Sequence, residues 1–123
     1  MIIKQISYND IQHYVTDAKR SHLTFCASTI LYGLIVNNEI VAFAGLIIKN
    51  NKAVFKNSYV PANQRGNGHF KKLVNYRLAL CKSLNIKVME ATCTQMSIKY
   101  FLENGFKIVK EYKNYKKVRY ENI

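Results

Sequence analysis

Residues 65–68 of this chain read Arg-Gly-Asn-Gly, set between an apolar, β-prone run at 53–60 and a long amphipathic segment at 69–84. A turn of this kind that opens a helix leaves several backbone N–H groups without acceptors. The helix dipole also favours negative charge there, so the natural occupant is an anion such as a phosphate. Gly66 and Gly68 supply positive φ angles and a close backbone approach that a Cβ would obstruct, and Arg65 adds a cation at the same place. The loop is not a Walker loop, because no Gly-Lys-Ser/Thr follows. Nor is it the Gly-x-Gly-x-x-Gly dinucleotide fingerprint, because Lys71 stands where the third glycine belongs.

Such a loop needs a strand to deliver it and a helix to leave it, and the rest of the sequence supplies a consistent set of elements. Ile2, Ile3 and Ile6 mark a first strand, after which Ser7 or Asn9 caps a helix running to about His22 with Ile11, Tyr14, Val15 and Ala18 at helical spacing. Residues 23–29 read equally as a short helix or an extended lead. Strands are expected at 30–36, 40–48 and 53–60, joined by tight turns at Asn37-Asn38 and Asn50-Asn51 and ended by Pro61. The segment 69–84 carries Leu73, Val74, Arg77, Leu78, Leu80, Cys81 and Leu84 along a helix that packs on the sheet. Asn85 caps it, 86–93 is a strand, and 95–103 is a helix stopped by Asn104-Gly105. A hairpin of 106–112 and 116–120 closes the chain. The order is β-α-β-β-β-α-β-α-β-β, an α+β layer structure.

At 123 residues the chain is expected to form one domain, 1–123, and its 49% hydrophobic content excludes disorder. No apolar run approaches the roughly 20 residues of a membrane span and no signal peptide opens the chain, so a cytoplasmic protein without membrane association is expected. Cys26, Cys81 and Cys93 are odd in number and lack metal-ligand spacing. They read as reduced core thiols, with no metal site. The formal net charge of +12 sets up a field that attracts nucleic acid, an acidic protein face or a polyanionic cofactor, with a merely basic surface as the plain alternative.

The stretch Arg65-Gly66-Asn67-Gly68-His69-Phe70 resembles the coenzyme A loop of the GCN5-related N-acetyltransferases, the GNAT superfamily, whose signature is Gln/Arg-x-x-Gly-x-Gly/Ala. Its Arg and first required Gly are matched; Phe70 departs from the last position and narrows the space beside the pyrophosphate. The family's later pattern, roughly Asn-x-x-Ala-x-x-x-Tyr-x-x-x-Gly-Phe, falls on Thr94, Ser97, Phe101 and Gly105-Phe106. Motifs carry the resemblance over 31–106, and element order carries it beyond. The resemblance implies a GNAT-like fold: a mostly antiparallel sheet of about six to seven strands, a parallel pair after the loop, and about three flanking helices. It implies acetyl-CoA as co-substrate, its pantetheine along Tyr59 and Val60 and its pyrophosphate on the backbone of Gln64, Arg65, Gly66, Asn67, Gly68, His69 and Phe70. The reaction implied is acyl transfer to a primary amine.

Two departures bear on that chemistry. The family's general-acid tyrosine falls at Phe101, and residues 53–60 contain no Asp or Glu to act as base. Tyr100 is the first substitute for the acid, although neighbours on a helix point about 100° apart, so the helix must shift to present it. Ser97 is a second proton donor and Glu90 the acid placed to serve as base. The plain alternatives are a partly buried aromatic for Tyr100 and a lysine-paired strand carboxylate for Glu90. His69 reads as packing inside the loop, and His13 and His22 as surface residues. The closing hairpin interleaves Tyr112 and Tyr115 with basic residues, a pattern that fits a plain exposed hairpin or a grip on nucleic acid. A short segment between the first two strands leaves the acceptor groove open, which suits a macromolecular or acidic acceptor. The alternatives are a tRNA- or DNA-modifying or binding protein and a catalytically degenerate CoA-binding module, as monomer or homodimer.

Overall fold

A computed structural model of the protein describes residues 1–12 and 27–122. The expected helix beyond residue 12, His13, His22, Cys26 and the openness of the acceptor groove lie outside them. Among the described residues the chain forms β1 (Ile2–Ile6), α1 (Tyr8–Ile11), β2 (Ile30–Val36), β3 (Glu39–Lys49), β4 (Lys52–Tyr59), α2 (His69–Ser83), β5 (Val88–Cys93), α3 (Ile98–Leu102), β6 (Lys107–Glu111) and β7 (Lys116–Glu121). The strands make one seven-stranded sheet in the order β1-β2-β3-β4-β5-β7-β6. Every neighbouring pair is antiparallel except β4 and β5.

Asparagine sets the corners. Asn37-Asn38 and Asn50-Asn51 all take left-handed φ angles of 51–66°. A two-residue turn with both centres left-handed matches the right-handed twist of flanking strands, which is why the two hairpins form at these pairs. Asn85 (φ 58°) ends α2, where the Ile86 amide reaches back to the Cys81 carbonyl at 3.0 Å. The last helix is shorter than its sequence promised. Thr94 and Ser97 close a local turn, with the Ser97 Oγ accepting from the Thr94 amide at 3.2 Å, so helical backbone begins only at Ile98.

The main core lies between the sheet and the helices α2 and α3. Leu46, Phe55, Met89, Ala91, Cys93 and Val118 of the sheet pack on Val74, Leu78 and Cys81 of α2 and on Phe101 and Phe106. Burial raises the Cys81 thiol to about 11 and the Cys93 thiol to about 12, so both are neutral packing groups, as expected.

One irregularity positions the site. Between β3 and β4 the register slips: Gly45 faces Lys56 but Phe43 faces Tyr59, so β4 carries one extra residue, at a bulge where Asn57 takes φ 57°. β4 pairs with β5 only from Lys52 to Phe55. Beyond the bulge it turns away, and the sheet opens between the two parallel strands. Gly45 is where the bulge presses on β3. A Cβ there would stand 2.7 Å from the Thr29 Cγ2 and 3.0 Å from the Lys56 carbonyl oxygen. Because the second contact is backbone, it cannot swing aside. Gly45→Ala is therefore expected to cost about 2 kcal/mol, the scale of overpacking a tight interior, read as a lowered midpoint in urea unfolding with unchanged slope.

Candidate active site

The opening between β4 and β5 continues into a cleft of about 460 Å³, lined by the end of β4, the glycine loop, the start of α2 and the start of α3. The loop begins with Pro61 and a 3₁₀ turn at Ala62–Gln64, and the Arg65 Nε donates back to the Val60 carbonyl at 2.9 Å. That bond ties the loop to the strand that delivers it. Gly66 (φ 83°) and Gly68 (φ 77°) both need the left-handed region, and Gly68 is the residue before the first helical turn. The first helical bond runs from the Lys72 amide to the Gly68 carbonyl, so the amides of His69, Phe70 and Lys71 have no acceptor within their helix. A Cβ built at Gly66 or Gly68 would meet no heavy atom within 4 Å. Their role is thus conformational, and the space over the loop is open to an anion.

The cleft gathers most of the residues expected from the sequence. Tyr59, Val60, Gln64, Arg65, Gly66, Gly68, His69 and Phe70 line it, joined by Ser97 and Tyr100 from the far wall. Asn67 does not; its Nδ2 donates to the Gln64 carbonyl at 3.3 Å and braces the loop. His69 is buried, and burial lowers its pKa with help from the Lys72 charge, which keeps the imidazole neutral near pH 7. Thr94, which opens the later motif, also lines it, and two further lining residues, Ser58 and Met96, had no signal in the sequence pattern.

The far wall resolves the question of Tyr100 and Phe101. Phe101 is 3% exposed, with its ring edge-on to Phe55 and Phe106. Tyr100 is half-buried in the cleft and packs on Phe70 at 5.3 Å between ring centroids. Adjacent residues on α3 point about 100° apart, so the phenol lines the cleft while the phenyl enters the core. Phe70, the residue that departs from the loop signature, is what Tyr100 leans on.

Glu90 lies elsewhere. On β5 the alternation sends Met89, Ala91 and Cys93 into the core beneath α2 and turns Glu90 to the opposite face of the sheet. There its carboxylate contacts the Lys52 Nζ at 2.6 Å, the Lys117 Nζ at 3.4 Å and the Arg119 Nη2 at 2.6 Å, the Arg119 Nε adding a bond at 2.8 Å. Burial pushes its pKa up, but hydrogen bonds from Lys52 and Arg119 and the charge of Lys117 outweigh that and hold it at about 2. A carboxylate so committed has little affinity for a proton, and Glu90 does not line the cleft. The expectation of Glu90 as base therefore gives way to the ion-pair reading.

A bulge-opened parallel pair, a glycine loop and a free helix N-terminus form one continuous groove, with unpaired amides that suit an anion at one end and a strand edge along it. The profile of the acetyltransferase (GNAT) family matches residues 4–106, and the chain belongs to that family. It is a GNAT-type acetyltransferase that uses acetyl-CoA. Among curated proteins no sequence match is significant. Similar solved structures include Ard1 from Thermoplasma volcanium (TM-score 0.77, 18% identity, covering 99% of this chain and 97% of that one). A Bacillus subtilis acetyltransferase in complex with CoA aligns with TM-score 0.74 at 12% identity over 98% of each chain. The ribosomal-protein-S18-alanine N-acetyltransferase of Escherichia coli aligns with TM-score 0.75 at 12% identity, over 96% of this chain and 90% of that one.

The Glu90 assignment makes a signed prediction. A carboxylate whose folded pKa lies below its ordinary value stabilises the fold at neutral pH and loses that contribution as pH falls toward about 2. Glu90→Gln is expected to lower stability at pH 7 by about 2 kcal/mol, the scale of charged hydrogen bonds lost. The gap to the wild type should close between about pH 5 and pH 2 in circular-dichroism titrations. Acetyl-CoA binding should be unchanged.

Proposed function

We propose that the protein transfers the acetyl group of acetyl-CoA to a primary amine carried by an anionic, macromolecular acceptor. The observation that carries this is a second recess of about 400 Å³ that shares Thr94 with the cleft and is lined by Gln95, Tyr112, Lys113, Asn114, Tyr115 and Lys116. The rings of Tyr112 and Tyr115 stack at 4.6 Å with the Lys110 ammonium 5.0 Å from Tyr112, and both tyrosines are exposed. Cations beside exposed aromatic faces, on a chain of net charge +12, suit an acceptor rich in phosphate or carboxylate.

In this reading the pantetheine runs along Tyr59 and Val60, and Tyr100 gives a proton to the departing thiolate. Ser97, tied to Thr94, is a positioning group for α3. No Asp or Glu lines the cleft among the described residues. The positive surroundings of Arg65 and the hairpin lysines favour the neutral form of an incoming amine, which lightens the work left for a base. The view of the chain as a degenerate CoA-binding module rested on Phe101, and Tyr100 in the cleft weighs against it. Its setting is read as cytoplasmic.

Mass spectrometry after incubation with acetyl-CoA and separate pools of tRNA, DNA, acidic peptides and polyamines tests the acceptor. Acetyl products in a macromolecular pool are expected, and efficient acetylation of polyamines alone would sink the reading. On the pool that reacts, Tyr100→Phe is expected to lower kcat by about 10²-fold, the scale of one lost general acid, with acetyl-CoA affinity retained. An unaltered kcat would remove Tyr100 from the reaction.

A further inference from the structure

The core holds a cation that the chemistry above does not use. Arg77, on α2, is 0% exposed, and its guanidinium lies 4.7 Å from the centroid of the Phe55 ring. Its donors go to the Leu73 carbonyl (Nε, 3.1 Å), the Gly45 carbonyl (Nη1, 3.0 Å) and the Ser58 hydroxyl (Nη2, 3.0 Å). None of these is an acid, so among the described residues the charge is buried without a counterion. A core pays heavily for such a group and rarely keeps one with neutral partners alone.

Its one side-chain hydrogen-bond acceptor among the described residues, Ser58, lines the cleft. A hydroxyl has one hydrogen to give and lone pairs to receive. Arg77 cannot accept, so Ser58 must receive from it, and the Ser58 hydrogen is left to donate elsewhere. Receiving from a cation also makes the hydroxyl a stronger donor. Ser58 sits at the deep end of the groove: from the amide loop the wall runs back through Val60 and Tyr59 to Ser58, next to the bulge where β4 leaves β5. At about 3.3 Å per strand residue, this is the end of the groove away from the pyrophosphate, where the thioester of an extended pantetheine comes to rest.

We propose that Ser58 is a catalytic hydrogen-bond donor to the thioester carbonyl oxygen, and that Arg77 is the positioning residue that orients and charges it. The inference rests on the transferase reading. In the reaction the amine nitrogen forms a bond to the carbonyl carbon and the C–S bond breaks, its electron pair leaving on sulfur. The proton lost by the nitrogen is balanced by the one the thiolate gains. Ser58 keeps its own proton throughout and stabilises the negative charge that gathers on oxygen, the kind of contact that does most when it is fixed in advance.

The test uses acetyl-CoA labelled with ¹³C at the carbonyl, bound to the whole protein and read by isotope-edited infrared difference spectroscopy. A lowered carbonyl frequency is expected on binding to the wild type. With each variant saturated by ligand, Ser58→Ala should return it most of the way to the free value, and Ser58→Thr, which keeps the hydroxyl, should preserve the lowered band. Arg77→Gln, where it folds, should give an intermediate position. A band that does not move in Ser58→Ala, or one that is not lowered in the wild type, overturns the proposal. Failure of the wild type to bind acetyl-CoA at all is a separate result and overturns the transferase reading itself.

Discussion

The Arg77 guanidinium joins three elements with directed hydrogen bonds inside the core they share. Through Leu73 it is anchored in its own helix, through Gly45 it holds β3, and through Ser58 it holds β4 just past the bulge. The two strand partners flank the bulge. The ladder becomes irregular just past the Gly45–Lys56 pair, and there the Gly45 carbonyl accepts from the Arg77 Nη1 at 3.0 Å. A bond from a cation to a carbonyl is stronger than one between neutral groups, so this contact fixes the helix against β3. Burial draws its pKa down to about 9, which still leaves it charged at neutral pH.

The same helix presents its free amides at His69 and its buried cation at Arg77. The two are eight residues apart, about 12 Å along the axis at the helical rise. Sliding α2 along the sheet to relieve either end would disturb the other. The amide loop and the opening between β4 and β5 are thereby held in one register, and a long, flexible thioester needs that of a groove that must grip it at both ends.

Sequence periodicity already placed Arg77 on the buried stripe, three and four residues from Val74 and Leu73 and four before Cys81. Residue type argued for the surface, and nothing in the chain announced the acceptors that reverse that preference, since they come from a bulge on distant strands. The hairpins and the loop were legible because each is local: paired asparagines fix turns, and two glycines fix the approach to a helix. Tyr100 and Phe101 were legible as residues but not in orientation. Their facing is set by packing on distant residues, Phe101 against Phe55 and Phe106 and Tyr100 against Phe70. The choice between the two readings of Glu90 was illegible for a third reason. Its partners Lys117 and Arg119 reach it only because β7, not β6, pairs with β5, a crossover that element order alone does not specify.

The two buried charges beside the opening illustrate how differently a fold handles an anion and a cation. Glu90 has three cationic side chains on its face of the sheet, and its oxygens are spent on them. Such a carboxylate is stable and chemically quiet. Arg77 faces the other way with carbonyls, a hydroxyl and a ring, none of which neutralises it. In a medium of low dielectric its field extends further than a paired charge's would, and the nearest route out of the core runs through Ser58 into the cleft. The residue that looked catalytic by its carboxylate is silenced by its neighbours. The one hidden in the hydrophobic stripe keeps its charge uncompensated by any partner acid among the described residues, one hydroxyl away from the cleft.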